Sequence, residues 1–121
     1  MLRLVNEERA EAGLASLTLS DELSRAARAK AEDMAKNGYF SHTSPTYGSP
    51  FDQMHSFGIT FSAAAENIAK GYPDADSVMT GWMNSEGHRA NILNSSFTHL
   101  GVGYAVDEHG TAYWVQMFLK P

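Results

Sequence analysis

Two histidines and two glutamates stand out from a chain of 121 residues because they sit in three short polar islands within apolar, helix-forming sequence. The islands are Phe40-Ser41-His42-Thr43-Ser44-Pro45, Ala65-Glu66-Asn67-Ile68-Ala69 and Asn84-Ser85-Glu86-Gly87-His88-Arg89-Ala90-Asn91-Ile92-Leu93. Imidazole and carboxylate are the groups that bind zinc and move protons near neutral pH. If His42, Glu66, Glu86 and His88 meet in one cavity, that cavity is the functional site.

Each member has a functional and an ordinary reading. Glu66 is flanked by Ala63, Ala64, Ala65, Ile68 and Ala69 with almost no other charge nearby. On a strand it shares a face with Ala64 and Ile68, so it is either a buried carboxylate that needs a partner or an edge residue facing water. Glu86 and His88 are two apart, which an unbroken helix splays by about 200°. Gly87 between them suggests that the helix ends there and that a turn aims both the same way; otherwise Glu86 is solvated and His88 caps the end. His42 alone, in a loop between an aromatic pair and a Ser/Pro stretch, reads as a surface residue sooner than as a ligand. His55, His99 and His109 read as structural or solvated. No pair of histidines shows a standard zinc spacing, and there is no nucleophile elbow or phosphate-cradling loop.

These groups must be positioned by the surrounding elements. Leu2 to Ala12 reads as a helix with Leu4 and Val5 on one side and Glu7, Glu8, Arg9 and Glu11 on the other, stopped by Gly13. Ser20 then caps a second helix in which Leu23, Ala26, Ala27, Ala31, Met34 and Ala35 form a stripe of mostly small residues, ending at Gly38. A loop marked by Pro45, Gly48 and Pro50 leads to a short helix, Phe51 to Phe57, stopped by Gly58. Residues Ser62 to Lys70 read as a strand, and Asp74 caps a helix running to about Glu86.

The last third changes period. Leu100, Val102, Tyr104 and Val106 alternate with Gly101, Gly103 and Ala105, and a turn at residues 107–110 leads to a second strand, Thr111 to Leu119. Both faces of that second strand are mostly apolar, so each must be covered. The bare Gly101-Gly103-Ala105 row calls for a very close neighbour. One α+β domain spanning residues 1–121 results, with a small antiparallel sheet between helical layers.

Composition narrows the function. A chain of this length buries roughly two thirds of its unfolded surface and folds without staples. It has no cysteine, so disulfides and thiolate metal sites are excluded. The net charge of −5 and scattered Lys and Arg argue against nucleic acid. No apolar run approaches a membrane span. No export signal opens the chain, which leaves an intracellular protein or an excised, exported domain.

Taken together and in order, these segments resemble the CAP superfamily, named for cysteine-rich secretory proteins, antigen five and pathogenesis-related proteins, and in particular its cysteine-free bacterial SCP-like branch. The resemblance rests on Leu4-Val5-Asn6-Glu7-Glu8-Arg9, on the three islands with Trp82-Met83 before the last, on Gly101-Val102-Gly103-Tyr104-Ala105 and on Tyr113-Trp114-Val115-Gln116-Met117-Phe118. It implies a three-layer α-β-α sandwich and a cavity tetrad of His42, Glu66, Glu86 and His88. It further implies that His42 and His88 bind Zn²⁺ or another divalent cation, with Glu66 and Glu86 close behind, and that the protein is exported with its signal removed. Metal-assisted hydrolysis is the weaker expectation, since no separate nucleophile is present. The alternatives are a non-catalytic module for a lipid, peptide, cell-wall or host ligand, its apolar groove lined by Ser77 to Met83 and Phe51 to Phe61, or a tetrad that is mainly structural.

Overall fold

A computed structural model describes residues 1–121. The helices are α1 (Leu2–Glu11), α2 (Asp21–Asn37), α3 (Pro50–Ser56), α4 (Ala75–Met83) and α5 (Glu86–Ile92). The strands are β1 (Thr18–Leu19), β2 (Ala63–Lys70), β3 (His99–Val106) and β4 (Ala112–Lys120). Local chemistry fixes most boundaries. The Ser20 hydroxyl accepts from the Leu23 N–H to start α2, and Gly38 closes it at φ 65°. Ser49 with Asp52, and Asp74 with Ser77, form reciprocal caps that start α3 and α4.

The sheet order is β1-β3-β4-β2. β4 pairs antiparallel with both β2 and β3, as the hairpin pattern predicts. The two-residue β1, which the sequence pattern does not reveal, adds parallel to β3, so the sheet is mixed. β4 is central and buried along eight of its nine residues. Its Tyr113, Val115, Met117 and Leu119 pack with Leu23, Ala26, Ala27, Ala31 and Met34 of α2 and Met54 of α3. Its Ala112, Trp114 and Phe118 pack on the other side with Val5 of α1, Val78, Met79 and Trp82 of α4 and Ile92 of α5. This is the three-layer α-β-α sandwich, with one apolar core on each face of the sheet.

The close neighbour demanded by Gly101 and Gly103 is α2. A Cβ on Gly103 would fall inside the backbone of Ala27, and one on Gly101 inside that of Leu23. The small-residue stripe of α2 and the bare row of β3 thus meet backbone to backbone.

Two expectations need correction. Arg9 does not face solvent with the other charges of α1. It is buried beside Val5, one turn away, and its guanidinium donates to the carbonyls of Ala15 (2.8 Å), Ile92 (2.9 Å), Asn94 (2.9 Å) and Phe97 (3.5 Å). Those carbonyls lie in the loop at Ala15, at the C-terminal end of α5 and in the turn after it, where helix and strand ladders leave carbonyls short of donors, and five N–H donors on a rigid fork supply them. Second, the helix expected from Asp74 to Glu86 is two helices. Asn84 and Ser85 break it, with Ser85 extended at φ −113°, ψ 119°, and Gly87 lies inside α5 rather than ending a helix. Asn and Ser favour caps because their side chains compete for backbone hydrogen bonds.

Candidate functional site

β2 is an edge strand, and the polar residues gather around it. Glu66 and Asn67 are consecutive, so their side chains leave opposite faces of the sheet. On the α2 face, Glu66 is paired in register with Met117 and its side chain is 1% exposed. Glu66 Oε1 accepts from His42 Nδ1 at 2.8 Å, while Oε2 is buried with no hydrogen-bond partner. The reading of Glu66 as a buried, partnered carboxylate therefore holds, and the water-facing reading fails although the strand does lie at the sheet edge.

His42 is delivered by the loop that follows α2. Its backbone carbonyl accepts from Lys30 Nζ at 2.8 Å, and its ring is 53% exposed. Lys30 is 1% exposed, and burial lowers its pKa while the charges of Glu66 and Asp33 pull it back up. The same loop is pinned by Asp33, whose carboxylate accepts from Ser44 (2.7 Å), Thr46 (2.8 Å), Asn37 (2.7 Å) and the Tyr39 hydroxyl. Burial pushes the Asp33 pKa up, but these four donors outweigh it and hold the group below the usual carboxylate range.

On the opposite face, Asn67 donates to the His88 carbonyl (3.1 Å) and to Gln116 Oε1 (3.2 Å), and its own Oδ1 accepts from Asn91 (2.8 Å). These buried amides lock α5 onto β2. His88 Nδ1 lies 2.9 Å from Ser85 Oγ. Burial first, and the nearby His42 second, lower the His88 pKa, which favours the neutral ring.

The structure thus brings His42, Glu66 and His88 to the two sides of one strand. Glu86 is exposed in the first turn of α5, a continuous helix on which His88 is two residues further. The polar partner that holds His88 is Ser85. Of the other histidines, His55 stacks on Phe61 with ring centroids 4.8 Å apart, His99 contacts Thr98, and His109 is exposed in a turn beside Glu108.

A cleft of about 350 Å³ opens at the His88 end of β2, lined by Phe40, Ile68, Lys70, Tyr72, Trp82 and His88 among others. Trp82 donates from Nε1 to the Ile68 carbonyl at 3.2 Å. Gly81 gives the Tyr72 ring its place, because a Cβ there would collide with it. The Lys70 ammonium sits 5.5 Å from the centre of the Phe40 ring, across the mouth.

Several site residues escape a search for catalytic types. Lys30 falls on the apolar stripe of α2, three and four residues from Ala27 and Ala26, and that misplaced charge is its signal. Asn67, Ser85 and Asn91 lie inside the polar islands, yet Gln116 gives no sign beyond one polar residue in an apolar strand.

An α-β-α sandwich with a histidine on either side of a sheet edge, one of them tied to a buried glutamate, defines the class to which this domain is similar. The profile of the cysteine-rich secretory protein family, CAP, matches residues 2–118, and the chain belongs to that family although it contains no cysteine. It is 54% identical over 119 residues to the uncharacterized protein YkwD of Bacillus subtilis, covering 98% of this chain and 45% of that protein. The crystal structure of an extracellular SCP-domain protein from Bacillus anthracis superposes with a TM-score of 0.93 at 37% identity, over 99% of this chain and 39% of that one. The chain therefore spans less than half the length of either relative. The fold extends to NaASP2, solved with Zn²⁺, at a TM-score of 0.70 and 14% identity over 97% of this chain and 75% of that one.

Proposed function

We propose that this domain acts outside the cell as a ligand-binding module whose cleft is centred on a divalent-cation site at the edge of β2. His42 and His88 would supply the protein's nitrogen donors. The observation that carries the reading is that each ring has Nδ1 engaged, by Glu66 Oε1 and Ser85 Oγ respectively. That arrangement leaves both Nε2 atoms for a ligand, the pattern by which outer groups orient metal-binding histidines.

The donor set fits a borderline cation such as zinc, with neutral imidazole nitrogens and a negative group behind one of them. No three His, Asp or Glu side chains converge closely enough to hold an ion by themselves; in this reading the two imidazoles would be the protein's donors and the other positions would stay open. A cation held there would supply an electrophilic centre for a ligand oxygen. Glu66 fixes the His42 tautomer and offsets positive charge through its buried, unpartnered Oε2. Glu86, exposed in the first turn of α5, would add negative potential. The adjoining cleft, apolar on Phe40, Ile68 and Trp82, gives room for a ligand body. The zinc-bound structure of NaASP2 and the extracellular Bacillus anthracis relative support the cation and the setting.

Isothermal titration with Zn²⁺ above pH 7 tests this. One saturable site is expected, weakened at least about tenfold by His42→Ala with His88→Ala, as loss of nitrogen ligands demands. Absence of binding, or binding that the double variant leaves intact, refutes it.

A further inference from the structure

The outer edge of β2 offers hydrogen-bond donors whose acceptors are missing. The Gly71 N–H donates to the Ala112 carbonyl, which with the β2–β4 register turns residues 63, 65, 67 and 69 toward β4. Residues 64, 66, 68 and 70 then present their backbone groups outward. The carbonyls of this edge are covered in part: Asn91 Nδ2 reaches that of Glu66 at 3.4 Å, and Trp82 Nε1 that of Ile68. By that register the N–H groups of Ile68 and Lys70 point away from β4, and no loop carbonyl or side chain accepts from them. Both residues line the cleft beside His88, where no acidic side chain enters and the Lys70 ammonium stands at the rim.

We propose that this cleft captures the free C-terminus of an extended peptide with an apolar last side chain. The terminal carboxylate accepts from the Lys70 N–H and the Lys70 ammonium. The carbonyl two residues earlier accepts from the Ile68 N–H. Donors on one strand edge recur every second residue, about 7 Å apart, and inward carbonyls of a paired extended chain recur at the same interval. A fatty acid carries a single head and uses only one of the two. Phe40, Tyr72 and Trp82 enclose the last side chain. Because Asn91 and Trp82 already cover the Glu66 and Ile68 carbonyls, the edge here offers mainly donors, which suits a chain end that brings acceptors better than a long strand that must pair its own N–H groups all along β2.

The inference names the ligand of the cleft proposed above and takes only its position from that reading; its test is run without metal. The chain, with a chelator present, is titrated with acetyl-alanyl-alanyl-leucine, with its C-terminal amide and with laurate, followed by amide nitrogen–proton spectra. The free acid is expected to shift the Ile68 and Lys70 amide signals. Amidation and Lys70→Gln, the latter at an exposed position where folding is undisturbed, should each weaken binding about tenfold, as loss of a charge-assisted hydrogen bond requires. Equal binding of acid and amide, no binding of either, or unmoved Ile68 and Lys70 signals overturns the proposal. Laurate binding more tightly at the same two amides overturns the peptide in favour of a lipid carboxylate. Zinc binding to the same chain is scored separately, so either reading can fail alone.

Discussion

Gly103→Ala puts a single methyl group where the structure has none to spare. The new Cβ would lie far inside the 3.0 Å that real Cβ contacts respect, against the backbone carbonyl of Ala27 rather than a movable side chain. α2 must therefore retreat from the sheet by roughly 1 Å, a gap that forfeits at least a quarter of each dispersion well it opens. With about a hundred atom pairs across the α2–sheet contact at ~0.15 kcal/mol each, the loss is about 4 kcal/mol. Unfolding entropy for a chain of this length is about 0.25 kcal/mol per degree, so the melting temperature should fall by about 15 °C. Differential scanning calorimetry measures this directly. Gly87→Ala is the control: it lies in α5 with no atom within 4 Å of its would-be Cβ. There the helix preference of alanine should raise stability by about 0.5–1 kcal/mol. A Gly103→Ala protein melting within about 3 °C of the parent would show that α2 does not ride on β3 as described, since a 4 kcal/mol loss could not pass unseen.

Arg9→Met keeps much of the side-chain volume but strands the carbonyls of Ala15, Ile92 and Phe97 and leaves that of Asn94 with only a long bond from the Phe97 N–H, and should cost about 3–5 kcal/mol by urea unfolding. Arg9→Lys should recover only part of that, because one ammonium cannot reach four diverging oxygens; full recovery would mean that charge, not the fork, matters there. Asp33 sets an acid limit on the His42 loop. Its folded pKa is depressed, so its contribution is fully present above pH about 4 and is lost as pH falls through the folded value. Asp33→Asn should lower stability at pH 7 by at least about 2 kcal/mol and flatten the melting-temperature profile below pH 4. A profile with unchanged acid slope would refute the assignment.

What the sequence displayed clearly were features that repeat or punctuate. Ser20 and Gly38 bracket α2, the alternation of Tyr113 to Leu119 put β4 between two cores, and the Gly101-Gly103 row announced a backbone neighbour. The polar islands marked His42, Glu66 and His88 because such residues are rare in apolar surroundings. The break at Asn84-Ser85 was hidden because Gly87, a stronger helix breaker by composition, drew the boundary three residues past Met83. Arg9 and Lys30 show a second blind spot. Each sits at helical spacing from buried residues, yet charge argues for solvent unless the loop carbonyls awaiting it are known, and those are set by tertiary structure. β1 is too short for any period to show. The pairing of Ser85 with His88 likewise depends on where the helix restarts.

The half-covered edge of β2 also bears on how this protein would fail. Trp82 and Asn91 act as stoppers, and both belong to the α4–α5 segment that Arg9 helps to clamp down. Should that segment peel away, the strand would bare a full row of alternating donors and acceptors, the template on which chains of the same kind stack into insoluble sheets. Resistance to clumping would then track the anchoring of α5 more closely than it tracks total stability.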